Sequence, residues 1–220
     1  MEDVMYFAIE SHQFATFGHL LDQMYNLRHR VFCEQLKWVS AEGGKERDIY
    51  DNLSPVYLLH TDENAEFLYA AARLMPTSGR TLLTDVFAET MPDAVAFQSP
   101  FVWEITRLCV DEELIRQHQP KRRMLDVLRM MLLAGMEFGY RNGVDTFLSN
   151  FDEARLRIWR RAGARIDIIG QCDDFSVPVM LGLTESGRDA LEAVRERLGH
   201  HDRVLSRAPR LHSSITRVAA

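Results

Sequence analysis

Arginines, carboxylates and aromatic rings recur in this sequence in a few short runs. Arg28-His-Arg-Val-Phe32 is followed by Trp38, and Asp48-Ile-Tyr-Asp51 leads into Leu53-Ser-Pro55. Arg73 lies in Ala71-Ala-Arg-Leu-Met-Pro-Thr77, Phe87 closes Leu83-Thr-Asp-Val-Phe87, and Trp103-Glu-Ile-Thr-Arg107 carries both an acid and an arginine. An arginine fork matches a carboxylate bidentately. A carboxylate can hold a cation or accept a proton, and a ring face attracts a cation by about 0.5–2 kcal/mol. Each residue also has a structural reading. Arg28 and Arg73 can pair with Asp48 or Glu104, because buried charges need partners. Asp51 can form a turn before Leu-Ser-Pro, Trp38 can seal a helix end, and Phe32 and Phe87 can be core. Residue types alone leave both readings open.

The elements that must position these groups follow from apolar periodicity. Met5–Ile9, Val56–His60, Phe67–Met75, Trp103–Val110, Thr146–Asn150, Ile166–Gly170 and Val177–Leu183 read as strands. Period-two alternation would put Glu104 and Arg107 on opposite faces unless a bulge intervenes. Helices are expected over His19–Val31, Arg123–Tyr140, Asp152–Arg161 and Ser186–Leu198. Asn142-Gly143 stops the second of these, Asn150 or Asp152 caps the third, and Ser186-x-x-Asp189 gives the fourth a capping-box pattern. The long polar connector Val39–Ser54 lacks periodicity, and such loops are either functional or simply disordered. Strand–helix alternation in the second half and sequential strands in the first predict a mixed sheet of about seven strands with helices on both faces. One domain over 1–200 is expected, with 201–220 a mobile surface extension.

Composition narrows the classes. The chain has 220 residues, 46% of them apolar, and a net charge of −6, which suits a globular protein and argues against nucleic acid as its main partner. No stretch approaches the roughly 18 apolar residues of a membrane span. Cys33, Cys109 and Cys172 are too few and scattered for a disulfide framework and lack metal-ligand spacing, so they read as small apolar residues in a reducing cytoplasm. Against the acidic total, Glu153–Arg165 holds five arginines and one acid, a local basic face that suggests an acidic partner. Lys121-Arg-Arg123 is a second basic cluster.

Taken in order over about 80 residues, the opening runs resemble the LuxI-type autoinducer synthases, whose fold is similar to that of GNAT N-acetyltransferases. The resemblance implies an α/β fold, a single-domain α-β-α sandwich with a mostly antiparallel sheet. It implies that Arg28, Phe32, Trp38, Asp48, Asp51, Arg73, Phe87 and Arg107 bind S-adenosylmethionine, and that Glu104, Arg107 and Asp48 support catalysis. The amine would attack a thioester, with Glu104 as base or as an orienting group. The carboxylate would then attack its own γ-carbon and expel methylthioadenosine as a neutral leaving group. No cofactor or metal is implied, since S-adenosylmethionine is consumed and phosphopantetheine arrives on the acyl donor, acyl carrier protein or acyl-CoA. Arg157, Arg160 and Arg161 would then form a docking face for a carrier protein. Met124, Leu128, Ser149 and Phe151 would line the acyl pocket. Ser149 stands at or near a position where many family members that favour 3-oxo donors carry threonine, which argues against a 3-oxo preference and leaves a shorter, branched or aromatic acyl group open. Two rivals remain. One is a GNAT-type N-acyltransferase acting on another amine, although Gln117-His-Gln-Pro-Lys-Arg-Arg123 lacks the glycines of its phosphate loop. The other is a non-catalytic sensor of S-adenosylmethionine.

Overall fold

A computed structural model describes residues 4–41, 43–90, 97–173 and 177–210. Strand β1 (Val4–Ile9) leads to helix α1 (Gly18–Arg28), and β2 (Val56–Asp62) and β3 (Leu68–Pro76) follow a long connector. A single turn of helix, α2 (Leu82–Asp85), precedes β4 (Val102–Val110), α3 (Glu112–His118) and α4 (Met124–Asn142). The chain continues through β5 (Thr146–Phe151), α5 (Glu153–Arg161), β6 (Ile166–Cys172), β7 (Val179–Glu185), α6 (Arg188–Leu198) and β8 (Leu205–Ser206).

The strands form one sheet in the order β6-β7-β5-β4-β3-β2-β1-β8. Pairing is antiparallel except for β4 with β5 and β1 with β8, so the sheet is mixed and mostly antiparallel, the GNAT-like α-β-α sandwich. The eighth strand is the two-residue β8, too short to carry a periodic signal. It is fixed by Glu137, whose buried carboxylate accepts the Val204 and Leu205 N–H groups and the Arg195 guanidinium. Residues 211–220, within the segment read as an extension, lie outside the described residues.

Alternation along the strands divides the core. Phe7, Tyr57, Leu59 and Ala71 face α1, where Leu20 and Met24 cover them. Tyr6, Leu58, Ala72 and Leu74 face α4, which is buried on most of its circumference and ends at Gly143 in the left-handed region (φ 68°). Asp152 caps α5 by accepting the Arg155 N–H. Ser186 does not cap α6: its hydroxyl donates to the Val144 carbonyl, and Gly187 takes the N-cap position. The short α3, absent from the expected helices, is capped by Asp111, which accepts the Leu114 N–H at 3.0 Å.

Two departures from regular geometry set the α1 side of the sheet apart. Beyond Arg28 the helix loosens into π-helical winding over His29–Gln35, a form found often at functional sites. In β4 the register against β3 changes: Ala71 pairs with Cys109 but Arg73 pairs with Thr106, leaving one extra residue on β4. Arg107 lies at this bulge with φ 53°, a region costly for a side chain with a Cβ. The extra residue brings Glu104 and Arg107, three apart, to the same face of the strand.

Candidate functional site

On the α1 side of the sheet, three arginines and three acids from four segments form one cluster. Arg28, at the end of α1, donates through Nη1 and Nη2 to the two oxygens of Asp51 (2.8 and 3.1 Å) and through Nε to Glu46 (2.5 Å). Arg73 of β3 donates to Asp48 (2.5 Å), Asp51 (3.0 Å) and Thr106 (3.2 Å). Arg107 of β4 donates to Glu46 (3.2 Å), and its Nη2 lies 3.1 Å from Asp48 Oδ2 without hydrogen-bond alignment. Tyr57 adds a hydroxyl donor to Asp51 at 2.7 Å.

The connector holding the acids is ordered by the acids themselves. Asp48 accepts the Tyr50 N–H while Asp51 accepts the Asp48 N–H, so each stabilises the turn Ile49–Asn52 that carries the other. Fully desolvated charges survive only when paired this way. Burial alone would raise the Asp51 pKa, but hydrogen bonding and charge from Arg28, then the charge of Arg73, outweigh it and hold the carboxyl well below the usual range. Burial, reinforced by the Asp51 charge, pushes the Tyr57 hydroxyl pKa up.

Arg28 and Arg73 are thus largely committed to these acids. Arg73 Nη2 is nonetheless buried without a hydrogen-bond partner, and Arg107 keeps 12% of its side chain exposed. Arg107 also stacks over Phe32, its guanidinium 5.3 Å from the ring centre, and Phe32 lies 6.1 Å from Trp38, which is 49% exposed at the rim.

Phe32, Trp38 and Arg107 open onto a cleft of about 1000 Å³, counted with its mouth. The cleft exists because β4 and β5 part. Their parallel pairing covers only Val102–Glu104 against Thr146–Leu148, after which the strands splay and α4 closes the gap from behind. Ser149 and Phe151 line the wall on β5. Met124 does not, being exposed at the first turn of α4, and Leu128 is buried in the core beyond the cleft residues. The α4 wall is instead Met131, Leu132, Gly135 and Met136, one to three turns further along. Leu132 and Met136 share the face of α4 that carries Leu128, so the helix meets the cleft with that face but nearer its C-terminal end.

Glu104 stands at the vertex of the splay but is not among the lining residues. Its two oxygens accept the N–H groups of Leu82 (3.0 Å) and Leu83 (2.7 Å), fixing the start of α2. Of the two acids open to Arg73, Asp48 is the one it pairs with, and Glu104 interacts with Arg73 by charge alone. Burial raises the Glu104 pKa against the lowering effects of those N–H groups and of Arg73 and Arg107. Phe87, partly buried, packs beside α2 with Tyr50, Met75 and Leu82. Arg157 and Arg161 are exposed on α5, Arg157 pairing with Glu153, whereas Arg160 is tied to the Ile166 carbonyl at 3.0 Å.

Glu46, Tyr57 and Thr106 carry no signal in the sequence that marks them as site residues. Glu46 bridges Arg28 and Arg107, yet it follows Gly43-Gly44 in a connector where no spacing distinguishes it from other acids.

The autoinducer synthase family matches residues 13–194. An acyl-homoserine-lactone synthase from Rhizobium radiobacter is 34% identical over 178 residues, 80% of each chain. The solved structure of a CoA-dependent acyl-homoserine lactone synthase, BjaI, with SAM and isopentyl-CoA, is similar with a TM-score of 0.78 at 24% identity, covering 94% of this chain and 95% of that one. A Lactobacillus plantarum protein assigned as an N-acetyltransferase is similar with a TM-score of 0.53 at 19% identity, covering 82% of this chain and 98% of that one.

Proposed function

Because this chain belongs to the autoinducer synthase family, we propose that it transfers an acyl group from a thioester to the α-amine of S-adenosylmethionine and closes the product to an acyl-homoserine lactone, a quorum-sensing signal. The chain is an acyltransferase. The observation that carries the reading is the meeting of two unlike environments at Arg107. On one side is a charge-balanced cluster of arginines and acids; on the other is an apolar cleft opened by the parting of β4 and β5.

S-adenosylmethionine brings an ammonium, a carboxylate and a sulfonium within a few ångströms. Arg107 and the uncommitted Nη2 of Arg73 are suited to the carboxylate. Asp48, whose Oδ2 lacks a hydrogen bond, is suited to the amine. Phe32 and Trp38 offer ring faces to the sulfonium. The acyl chain enters the cleft with its thioester near the splay, where backbone N–H groups of β4 released from β5 meet the developing oxyanion. Attack requires a neutral amine, and Glu104 accepts the proton through a bridging water, since its own oxygens are turned to α2. Closure needs the intermediate curled so that carboxylate and γ-carbon meet, which a tight charged site favours.

The donor is acyl carrier protein or acyl-CoA. The exposed Arg157 and Arg161 favour an acidic carrier docking on α5. A cytoplasmic location is supported by three free cysteines, and no helix among the described residues is long and apolar enough to cross a membrane.

Incubation of the purified protein with S-adenosylmethionine and matched acyl-carrier-protein and acyl-CoA thioesters is expected to release methylthioadenosine and lactone in equal amounts, read by mass spectrometry. Acyl transfer without methylthioadenosine would point to an ordinary N-acyltransferase; no turnover with any donor would remove the enzymatic reading. Charge reversal at Arg157 and Arg161 should slow the carrier-protein arm severalfold at low salt and leave the CoA arm unchanged. Equal slowing of both arms contradicts docking.

A further inference from the structure

Two aromatic rings in the cleft wall owe their positions to side chains that are missing. Phe151 and Ser149 project from β5 into the cleft, and Ser149 is directly opposite Gly182 of β7. A Cβ placed on Gly182 would stand 2.7 Å from Phe151 Cε2 and 2.7 Å from Ile166 Cγ2, closer than carbon atoms pack. Phe147 is seated in the same manner on α4, where a Cβ on Gly139 would stand 2.7 Å from its Cε2. Phe147, Phe151 and Ile166 all line the cleft, and Gly182 lies behind them.

Gly182 is not needed for its backbone. It lies inside a strand and is absent from the glycines with positive φ. Glycine in a strand interior marks a bulge or a close approach. Strand β7 runs against β5 without a register shift here, and the bulge on its other edge, where Ile168 pairs with Gly182 but Gly170 with Leu181, places the extra residue on β6 and not at Gly182. Close approach is therefore the reason for the residue. The ring of Phe151 leans back into the space a side chain would fill, and the cleft is deeper by that amount.

We propose that Gly182 is a positioning residue that holds Phe151 back against β7 and so sets the length of the acyl chain the cleft accepts. The inference rests on the acyl-thioester reading of the cleft and names the specificity element of that site. With a methyl group at 182 the ring has lost its seat. Ile166 and β7 block it from behind, and the cleft is the open direction. A ring turned into the cleft occupies the end of the acyl path, so long chains lose contacts and short ones keep theirs.

The test compares kcat/KM across straight-chain acyl thioesters from butyryl to dodecanoyl, with S-adenosylmethionine saturating. Gly182→Ala is expected to lower the ratio of the longest to the shortest chain by about tenfold or more, the discrimination associated with one methylene in an apolar pocket. Phe151→Leu should raise the ratio, and Gly182→Ala with Phe151→Leu should return it towards wild type, while the Kd for S-adenosylmethionine stays constant in all three. If Gly182→Ala lowers every donor equally, the glycine is only structural and the proposal is overturned. Should Gly182→Ala fail to fold, an unchanged ratio in Phe151→Leu overturns it by itself. Wild-type protein inactive with every donor would refute the parent reading; active wild type with unmoved ratios refutes this inference alone.

Discussion

Asp51→Asn is expected to cost about 3–5 kcal/mol of folding stability, the scale for breaking a buried ion pair and leaving its partner unmatched, measured as a fall in the urea midpoint at constant slope. The size follows from the number of groups the carboxylate serves. It receives both terminal nitrogens of Arg28, one of Arg73, the Tyr57 hydroxyl and the Asp48 N–H. An amide keeps one acceptor oxygen and presents a donor where arginines also donate. A loss below about 1 kcal/mol, the value of an exposed pair, would show that the cluster is solvated and not the framework of the site.

The same residue gives stability a pH dependence of definite sign. In the folded chain its pKa is held below the unfolded carboxylate value, so its contribution is present above about pH 4 and is lost as pH falls through the folded pKa. Glu104 acts in the opposite sense. Burial raises its folded pKa, so ionising it disfavours the fold as pH climbs from the unfolded towards the folded value. Removing Asp51 should therefore flatten the acid side of the wild-type stability profile.

Glu104→Gln is expected to reduce kcat for lactone formation by about 10²–10⁴-fold, the usual contribution of a general base, with little change in the Kd for S-adenosylmethionine. Because the base must be ionised, wild-type activity should rise with pH through a carboxyl group titrating above its ordinary range, and that limb should vanish in the variant. Glutamine keeps one acceptor for the Leu82 and Leu83 N–H groups but not two, so some loosening of α2 is built into the substitution. A purely structural Glu104 would lower kcat while leaving the pH limb in place, and that pattern contradicts the base assignment.

Local patterns make most of the fold legible. Seven strands stand out as branched and aromatic runs, and α4, α5 and α6 are found within a few residues of their ends. Geometry set by tertiary contact is not visible in the chain. Ser186 has the spacing of a cap but spends its hydroxyl on Val144. Leu128 shares a face of α4 with Leu132 and Met136, yet which level of that face borders the cleft depends on where β4 leaves β5. For the site, the ordered runs identify residues that do converge, since Arg28, Asp48, Asp51, Arg73 and Arg107 belong to one cluster. Glu46 escapes notice because its partners are distant in sequence and its own neighbourhood is featureless. A bulge is the condition for Glu104 and Arg107 to share a face, and only the change of register against β3 could decide that it forms.

A crystal structure of the protein soaked with S-adenosylmethionine is the most direct examination of how the cluster and the cleft work together. The ligand's carboxylate should lie within hydrogen-bond distance of Arg107, and its sulfonium within about 6 Å of the Phe32 or Trp38 ring. Its amine should face the mouth of the gap between β4 and β5. Electron density for the ligand anywhere that leaves Arg107 paired only with Glu46 and Asp48 would mean that these charges hold the fold together and bind nothing.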